Sequence, residues 1–461
     1  MDSKKNKKNS KEDSNDEDYE EEIINKKNNK RIIKNDGYEE LEENKKPLKR
    51  LRSNSENDVY YFKIQERSRY DYYFKKQSRN KQLEIMEKEN EIYKYFDTEI
   101  PIRYKILYSI LPLHTKSLIF QKIDMFELLK PCDSEYAKLN KWIKGLSLIP
   151  FDNYISLPVT ISDGNIKIQN FLSNSYETLK KTIYGQLEVK NKIMQILAQW
   201  ITNPCSLGQI IALEGPPGVG KTSLIKNGVS KVLNRPFSFY ALGGTTDVSL
   251  LEGHSYTYEG ATWGRMVEIL MESKVMNPVI FFDELDKISD TPKGHEISGL
   301  LTHLTDPVQN NVFHDKYYQE IDIDFSKVIF FFSFNDINLI NPVLKDRLTI
   351  VKFNGYTINE KILIVQNYLI PDLLENIGFD KNDITINNDI IKYIINNYTL
   401  NEAGVRNIKR VMEDIFLKIN LLKLIKDNDN NYINKIDIIY NIENLSFPLN
   451  LTIPIINNLI K

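Results

Sequence analysis

A glycine-rich run at residues 213–223, LEGPPGVGKTS, forms a candidate phosphate site. Its Gly215, Gly220, Lys221 and Thr222 fit the pattern of a glycine, four residues and then Gly-Lys-Thr, and the apolar residues before them predict a strand. In such a loop, backbone N–H groups surround the phosphates, the lysine reaches the outer phosphates and the threonine hydroxyl binds Mg²⁺. The residues predicted to line this site are Gly215, Pro216, Pro217, Gly218, Val219, Gly220, Lys221, Thr222 and Ser223.

Two carboxylates end a later apolar run, VIFFDELD. Open parallel sheets present ligands at the carboxyl ends of their strands, so Asp283 is predicted to hold Mg²⁺ and Glu284 to deprotonate the attacking water. The alternative is a strand that ends in a solvated acidic turn, which the upstream phosphate loop makes the weaker interpretation. Asn335 ends a further run, KVIFFFSFND, where its amide would position the water. An isolated Asn at a strand end is more often a turn former.

Two arginines are candidates for stabilising the charge that phosphoryl transfer builds on the phosphate oxygens. Arg347, in LKDRL, precedes the last apolar run and does not easily reach the phosphate site of its own chain, so it is predicted to act on a neighbouring subunit. Arg406, in NEAGVRNIKR, begins a predicted helix and would contact the phosphate in its own subunit. For either arginine alone, a surface ion pair is the competing interpretation.

The elements that must position these residues follow from the hydrophobic pattern. Five apolar runs alternate with helical stretches, namely QIIAL, PFSFYAL, PVIFFD, KVIFFFSF and LTIVKF. This alternation predicts an α/β fold in which a five-stranded parallel sheet has helices on both faces. From Ile358 the apolar residues recur at helical spacing, which predicts a small all-helical domain.

Composition divides the chain into five predicted segments. Residues 1–58 are nearly all charged or polar and are predicted to be a disordered tail. Residues 59–174 are predicted to be a helical region with a connecting loop at 152–174, and 175–356 to be the α/β domain. The helical domain is expected at 357–445 and a C-terminal tail at 446–461.

Charge and cysteine content exclude several classes of protein. The 461 residues carry a formal net charge of -2, which provides no global attraction to nucleic acid or to anionic membranes. The two cysteines, Cys132 and Cys205, lack metal-ligand spacing and indicate a reducing compartment. The sequence contains no signal segment and no apolar run that spans a membrane, so a cytoplasmic location is expected. The alternative location is the nucleus, with the basic cluster at 45–52 as the import signal. The competing interpretation of this cluster is a solvated run of charges.

An ordered set of motifs resembles the AAA+ module of Lon proteases. The set comprises EGPPGVGKTS, GGTTDVSLLEGHSYTYEGATWGRM, NPVIFFDELDKI, LLTHLTDPVQNNVFHDKYYQEIDIDFSKVIF, LKDRL, GYTINEKILIV and NEAGVRNI. The second and fourth strings make the resemblance specific, because a general AAA+ ATPase would share only the first and third. The similarity extends more weakly upstream and covers residues 65–445. The fold it implies is a P-loop NTPase with a small helical lid and an N-terminal helical region.

The resemblance implies a role for each matching residue. Lys221 and Thr222 would bind ATP and Mg²⁺, and Asp283 and Glu284 would form the Walker B pair. Further implied roles are Asn335 as sensor 1, Arg347 as arginine finger, Arg406 as sensor 2, and Ile183, Tyr184 and Gly185 as neighbours of the adenine. Tyr258, Glu259 and Gly260 fall in the substrate-gripping pore loop, where a bulky ring pushes on polypeptide by steric and apolar contact. Glu259 departs from the family pattern, which usually has an apolar residue at this position. Trp263 would compensate for the added polarity of the loop.

Two parts of the Lon pattern are absent from this sequence. The chain ends at Lys461 without a serine nucleophile motif, and the β-rich N-terminal substrate domain is replaced by the charged tail. The favoured hypothesis is a homo-oligomeric, hexameric ATP-driven unfoldase of polypeptides without peptidase activity, and a variant has a separate peptidase acting in trans. The alternatives are a nucleic-acid remodelling ATPase, which the charge and Tyr258 disfavour, and a degenerate regulatory ATP-binding protein, which the intact motifs disfavour.

Overall fold

The computed structural model describes residues 69–96, 100–399, 402–425, 438–442 and 445–460. The predicted tail at 1–58, the basic cluster at 45–52 and the start of the helical region lie outside these residues. Helix α1 (Arg69–Lys76) belongs to a unit that ends at Gln77, and a second unit begins at Ser78. In the part of the chain that is described, no helix combines the length and apolar character that crossing a bilayer requires.

Helices form the first part of the second unit, as the sequence predicts. They are α2 (Arg79–Phe96), α3 (Ile102–Tyr108), α4 (Leu113–Leu128) and α5 (Ser134–Leu148). Ile106, Ile119, Trp142 and Leu146 are buried together where α3, α4 and α5 meet. The predicted connecting loop is shorter than expected, because α6 (Asn165–Thr182) begins inside it. Thr160 and Asp163 form a capping box just before this helix, which is a local start signal.

A five-stranded parallel sheet forms the centre of the α/β domain. Its strands are β1 (Ile210–Glu214), β2 (Phe237–Ala241), β3 (Val279–Asp283), β6 (Ile329–Phe334) and β7 (Thr349–Lys352), in the order β2-β3-β6-β1-β7. Every neighbouring pair is parallel, and Ala212 of β1 lies beside Phe332 of β6 and Ile350 of β7. The carboxyl ends of all five strands therefore lie along one edge of the sheet, as predicted.

Both faces of the sheet are covered, which explains why its strands are continuously apolar. Successive residues point to opposite faces, so Phe282 and Phe332 pack with one helical layer and Phe281 with the other. The covering helices include α7 (Leu187–Thr202), α8 (Lys221–Ser223), α9 (Ser230–Leu233), α10 (Ser249–Glu252), α11 (Arg265–Ser273), α12 (Pro292–Leu304) and α13 (Pro342–Lys345). A π-helical segment, Leu224–Val229, joins α8 to α9.

A short antiparallel hairpin between α12 and β6 was not predicted from the sequence. Its strands are β4 (Phe313–His314) and β5 (Asp322–Ile323). Phe313 and Phe325 are buried beside it, with ring centroids 5.1 Å apart in an edge-to-face arrangement. Two-residue strands carry too little alternation to be recognised in a sequence.

The C-terminal lid contains more than helices. It comprises α14 (Ile358–Ile364), α15 (Ile370–Ile377), β8 (Ile384–Thr385), α16 (Asn388–Tyr398), α17 (Arg406–Ile425), β9 (Leu449–Asn450) and α18 (Ile453–Leu459). The prediction of an all-helical domain is wrong in this detail, because β8 and β9 pair in parallel. Residues 446–460 are not a tail, since Leu451, Ile456 and Leu459 are buried in the lid core. Their apolar side chains provide the free energy that holds this segment on the lid.

Candidate active site

The phosphate loop leaves β1 after Glu214 and enters a helix at Lys221. Gly218 and Gly220 have φ values of +78° and +95°, which only glycine adopts at little cost. A Cβ on Gly220 would lie 2.6 Å from Ile183 Cδ1, so the loop also requires glycine for space. The N–H groups of these two glycines donate no backbone hydrogen bond within the described residues. The first N–H groups of a helix are unpaired as well, so the loop offers a set of donors to an anion.

Lys221 connects the phosphate loop to the end of β6. Its Nζ donates to the carbonyl of Gly215 over 2.7 Å and to Oδ1 of Asn335 over 3.1 Å. Burial lowers the pKa of Lys221, and attraction to the carboxylates of Asp283 and Asp286 opposes that shift. The ammonium group therefore lies among the predicted phosphate-binding, carboxylate and amide residues, which the fold brings together.

The two predicted catalytic carboxylates lie at the end of β3. Oδ1 of Asp283 accepts hydrogen bonds from the hydroxyl of Ser333 and, over 3.1 Å, from the N–H of Glu284. Glu284 has a φ of +60°, a left-handed conformation that is uncommon for a residue with a side chain. Its exposed carboxylate lies directly over Gly243, where a Cβ would overlap with Oε2. Gly243 at the end of the neighbouring strand therefore provides the space that this carboxylate occupies.

Asp286 is a site residue that the sequence reasoning missed. It is 5% exposed, and its Oδ2 accepts the N–H groups of Asn335 over 3.2 Å and of Asp336 over 3.3 Å. Its Oδ1 has no partner among the described groups. The carboxylate thus fixes the backbone from which the Asn335 amide projects. The available signal was the third acidic residue of DELD, which the short turn Leu285–Lys287 directs inward.

Ile183 and Tyr184 lie in the loop between α6 and α7, against the phosphate loop. The buried Lys190 donates to the carbonyl of Ile183 over 2.6 Å. The hydroxyl of Tyr356 donates to the carbonyls of Val219 over 3.0 Å and Tyr184 over 3.3 Å, and the two tyrosine rings meet edge to face. Burial raises the pKa of Tyr356 to about 12, so its hydroxyl remains a donor at neutral pH. This loop is therefore fixed beside the phosphate loop.

Arg406 lies at the contact between the lid and the phosphate loop. Val405 N–H donates to the carbonyl of Gly218 over 3.1 Å, and a Cβ on Gly218 would lie 2.9 Å from the Cβ of Arg406. Glu402 accepts the N–H of Arg406 over 3.1 Å and so caps the start of α17. The exposed Arg406 side chain therefore starts from a backbone that is attached to the phosphate loop of its own chain.

Arg347 contacts residues outside the phosphate loop. It lies between α13 and β7, and its Nη1 lies 2.6 Å from Oδ2 of Asp306 and 3.3 Å from the carbonyl oxygen of Thr302. Among the described residues, none of its hydrogen bonds or ion pairs is to the phosphate loop. The structure therefore does not bring Arg347 together with Lys221 and Asn335 in one chain.

Tyr258 projects from the loop at residues 254–263. Its side chain is 69% exposed, and a turn from Ser255 through Tyr258 is closed by a backbone hydrogen bond of 3.1 Å. Glu259 is exposed, and Gly260 has a φ of +77° with open space around it. The tip of the loop therefore presents one aromatic ring and one carboxylate to its surroundings.

Trp263 does not share that exposed surface. Its ring stacks with Tyr318 and meets Tyr317 edge to face, with centroid distances of 6.3 and 5.8 Å. A Cβ on Gly145 of α5 would lie 2.6 Å from its Cζ3 atom. Trp263 therefore packs the base of the loop on the N-terminal helices and is not placed to compensate for Glu259.

A buried carboxylate joins the two ends of the 254–263 loop. Asp315 is 0% exposed, and it accepts the N–H of Gly264 over 2.7 Å and of Tyr317 over 2.8 Å. A Cβ on Gly253, whose φ is +80°, would lie 2.9 Å from Oδ1 of Asp315. Burial raises the pKa of Asp315 to about 7, although its backbone donors favour the charged form. The sequence reasoning did not identify this residue.

Comparison with known families matches two consecutive parts of the chain. Residues 211–356 match the ATPase family associated with various cellular activities (AAA), and residues 375–432 match the Lon protease AAA+ ATPase lid domain. The chain carries a Lon-like AAA+ ATPase module. The Lon protease homolog of Acanthamoeba polyphaga mimivirus is 40% identical over 332 residues, which are 70% of this chain and 32% of that protein. The mitochondrial Lon protease homolog of Schizosaccharomyces pombe is 34% identical over 320 residues, 69% of this chain and 28% of that protein.

The Lon-like module therefore spans about a third of the length of these curated relatives. Among solved structures, the S. cerevisiae Hsp104:casein complex in its extended conformation is matched with a TM-score of 0.45 and 17% identity. That match covers 56% of this chain and 48% of the Hsp104 chain.

Proposed function

We propose that this Lon-like module hydrolyses ATP at the junction of β1, β3 and β6. The observation that carries the proposal is the position of Lys221, whose ammonium binds both the phosphate loop and Asn335 near the carboxylates of Asp283 and Asp286. These are the groups that hydrolysis of a phosphoanhydride requires: donors for the phosphates, a base and an amide that orients water.

The residues present also fit Mg²⁺. Within the described part of the chain, no group of three or more His, Cys, Asp or Glu side chains could hold a metal ion by itself. Mg²⁺ in nucleotide sites needs few protein ligands, because phosphates and water supply the rest. The Thr222 hydroxyl and the Asp283 carboxylate would hold it, and it would neutralise charge on the phosphates. Ser333 and the N–H of Glu284 fix the Asp283 carboxylate in place.

The proposed chemical step uses Glu284 as the base. Its carboxylate takes a proton from water, the water oxygen bonds to the γ-phosphorus, and the bond from that phosphorus to the β–γ bridging oxygen breaks. Asn335 holds the attacking water, and Lys221 stabilises charge on the outer phosphates. The open space at Gly243 lets the Glu284 carboxylate reach the water.

We infer that Arg347 completes this site from a neighbouring subunit. Its contacts within its own chain are to Asp306 and Thr302, while a guanidinium near the γ-phosphate would stabilise the charge of the transition state. A residue supplied in this way requires a neighbouring subunit in a head-to-tail contact, and we propose that these contacts close into a hexameric ring.

The proposed substrate is a polypeptide, which the exposed Tyr258 would push through the ring. The matched relatives are named Lon protease homologs. We propose that this module unfolds polypeptides and has no peptidase activity of its own. A peptidase acting in trans would then cleave what the ring releases.

The test separates three activities of the purified chain. With Mg²⁺ and ATP, we expect phosphate release that casein stimulates, unfolding of a tagged fluorescent substrate, and no new peptide termini in casein. Absence of phosphate release would refute the ATPase assignment. Phosphate release without unfolding would refute the polypeptide substrate, and casein cleavage would refute the lack of a peptidase.

A further inference from the structure

A cavity lies at the edge of the sheet opposite to the proposed ATP site. It has a volume of about 90 Å³ and is formed where the chain enters β1, β2, β3 and β6. The lining residues used below are Tyr154, Trp200, Ser206, Arg235, Asn277 and Lys327. A single water needs about 10–15 Å³ of such space, so the cavity has room for a hydrated ion rather than for one water alone.

Arg235 places an uncompensated positive charge in this cavity. Its Nε is buried and has no hydrogen-bond partner in the described part of the chain. Its guanidinium lies 5.2 Å above the ring of Trp200, which offers attraction but accepts no conventional hydrogen bond. Burial lowers the pKa of Arg235 to about 10, and no carboxylate of the described residues opposes that shift. The group stays charged at neutral pH, although an unpaired buried charge is costly.

In contrast to Arg235, the buried Lys190 and the half-buried Lys105 are satisfied by backbone carbonyls. Lys190 donates to a carbonyl over 2.6 Å, and Lys105 donates to the carbonyls of Ser147 and Ile149 over 2.6 and 2.8 Å. Among the buried side-chain atoms that lack a partner in the described residues, Arg235 Nε is the one that belongs to a cation. An unsatisfied buried group of this kind indicates a partner outside the protein chain.

The rest of the lining reinforces the positive character of the cavity. Lys327 also faces it, with its ammonium 4.5 Å from the centre of the Tyr154 ring. Among the described residues that line the cavity, none is Asp or Glu. Asp324 lies behind it, where it meets the Tyr154 hydroxyl at 3.5 Å and accepts the N–H of Ser326 over 2.7 Å. The hydroxyl of Ser206 also lines the cavity, but it donates to the carbonyl of Asn203 over 2.8 Å, so the two cations are the main side-chain donors for a ligand.

The cavity is closed by a segment that joins the N-terminal helices to α6. Asn277 accepts the N–H of Ile155 and donates to its carbonyl, each over 2.9 Å, and Met276 N–H donates to the carbonyl of Asn153 over 2.8 Å. These bonds hold residues 153–155 beside the start of β3. A ligand in the cavity would contact this segment and the sheet together.

We propose that this cavity binds a small tetrahedral oxyanion, of which inorganic phosphate is the simplest, between Arg235 and Lys327. A planar guanidinium donates two parallel hydrogen bonds to a phosphate, which would satisfy the buried Nε, and Lys327 adds a point charge. The site is separate from the phosphate loop, because it lies at the amino ends of the strands whose carboxyl ends carry that loop. It does not depend on the proposed ATPase function.

The test is a phosphate titration in which the phosphate loop is disabled. The Lys221→Ala chain is titrated with sodium phosphate, with sodium chloride adjusted to hold the ionic strength constant, and binding is followed by calorimetry and by tryptophan fluorescence, to which Trp200 contributes. We expect saturable binding that Arg235→Gln, added to Lys221→Ala, weakens at least about tenfold, as the loss of a charge-assisted hydrogen bond predicts. Lys231→Gln removes an exposed charge near Arg235 and should leave the affinity unchanged.

Two outcomes would overturn the proposal. One is the absence of saturable binding to Lys221→Ala, which would mean that water alone satisfies Arg235. The other is equal affinity with and without Arg235→Gln. Circular dichroism checks that the variant folds, and if it does not, Lys327→Gln takes its place, with a several-fold loss of affinity expected and an unchanged affinity counting against the site.

Discussion

Arg347 and Asp306 of the same chain lie 2.6 Å apart, guanidinium against carboxylate. The N–H of Val308 and the guanidinium of Arg347 together lower the pKa of Asp306, so this carboxylate is charged at neutral pH. The pair, together with the Thr302 carbonyl, fixes the direction in which the Arg347 side chain leaves its loop. We infer that Asp306 positions the guanidinium for the neighbouring subunit.

Asp306→Asn should therefore reduce kcat for ATP by about tenfold, the scale of one charge-assisted hydrogen bond, and leave KM unchanged. The reason is that the guanidinium would no longer be held for the transition state, whereas ATP binding does not depend on it. Steady-state phosphate release measures both constants. Asp346→Asn removes an exposed charge next to Arg347 and is the matched control. An unchanged kcat in Asp306→Asn, or an equal loss in Asp346→Asn, would contradict the positioning role.

Gly243→Ala should displace the Glu284 carboxylate, because the added Cβ would overlap with its Oε2. The end of a flexible side chain yields easily, so the variant should fold and bind ATP with normal affinity while kcat falls at least about tenfold. Nucleotide titration and phosphate release measure the two effects. Gly299→Ala, in a helix with open space around the glycine, is the control and should keep full activity. Normal turnover in Gly243→Ala would show that the observed carboxylate position is not the catalytic one.

Tyr258→Ala should leave basal ATP hydrolysis intact and abolish unfolding of a tagged substrate. The ring is 69% exposed and makes the apolar contact that would push on a polypeptide. Tyr258→Phe keeps the ring and should retain most of the unfolding rate. Equal unfolding by Tyr258→Ala and the parent would remove the loop from the mechanism.

Asp315 predicts a pH dependence of stability. Its folded pKa is about 7 against an ordinary value of 3.8, so the folded chain binds more protons than the unfolded chain between these values. The free energy of unfolding should therefore fall as pH rises from about 4 to about 7 and level off above, by at most about 4 kcal/mol. Asp315→Asn should lose this slope, which urea unfolding midpoints at about pH 5 and about pH 8 would measure. If the parent and Asp315→Asn show the same change in stability with pH, a group other than Asp315 causes it.

The parallel sheet and the phosphate loop could be predicted from the sequence, because continuous apolar runs and a glycine-rich motif are recognisable within a few residues. Lys221 and Asn335 were predicted separately, and parallel strand order brings them within 3.1 Å. Asp286 and Asp315 were missed because their partners are backbone N–H groups distant in sequence, and such contacts have no sequence pattern.

The lid shows a second reason why part of the structure was not predicted from the sequence. Leu449 pairs with Ile384 across a long separation in the chain, and a strand of two residues has no recognisable periodicity. The sequence therefore predicts a tail at 446–461, whereas Ile456 is buried in the lid core. Local signals predicted the elements, while tertiary contacts decided where the domain ends.

We propose above all that one subunit supplies Glu284 and its neighbour supplies Arg347 to a shared ATP site. The most direct measurement is the ATPase rate of Glu284→Gln and Arg347→Ala proteins, each assayed alone and then after equimolar mixing under conditions that exchange subunits. We expect each variant alone to be inactive and the mixture to regain about a quarter of the parent rate, since random assembly pairs an intact Glu284 with an intact Arg347 at that share of interfaces. A mixture as inactive as its components would contradict the claim.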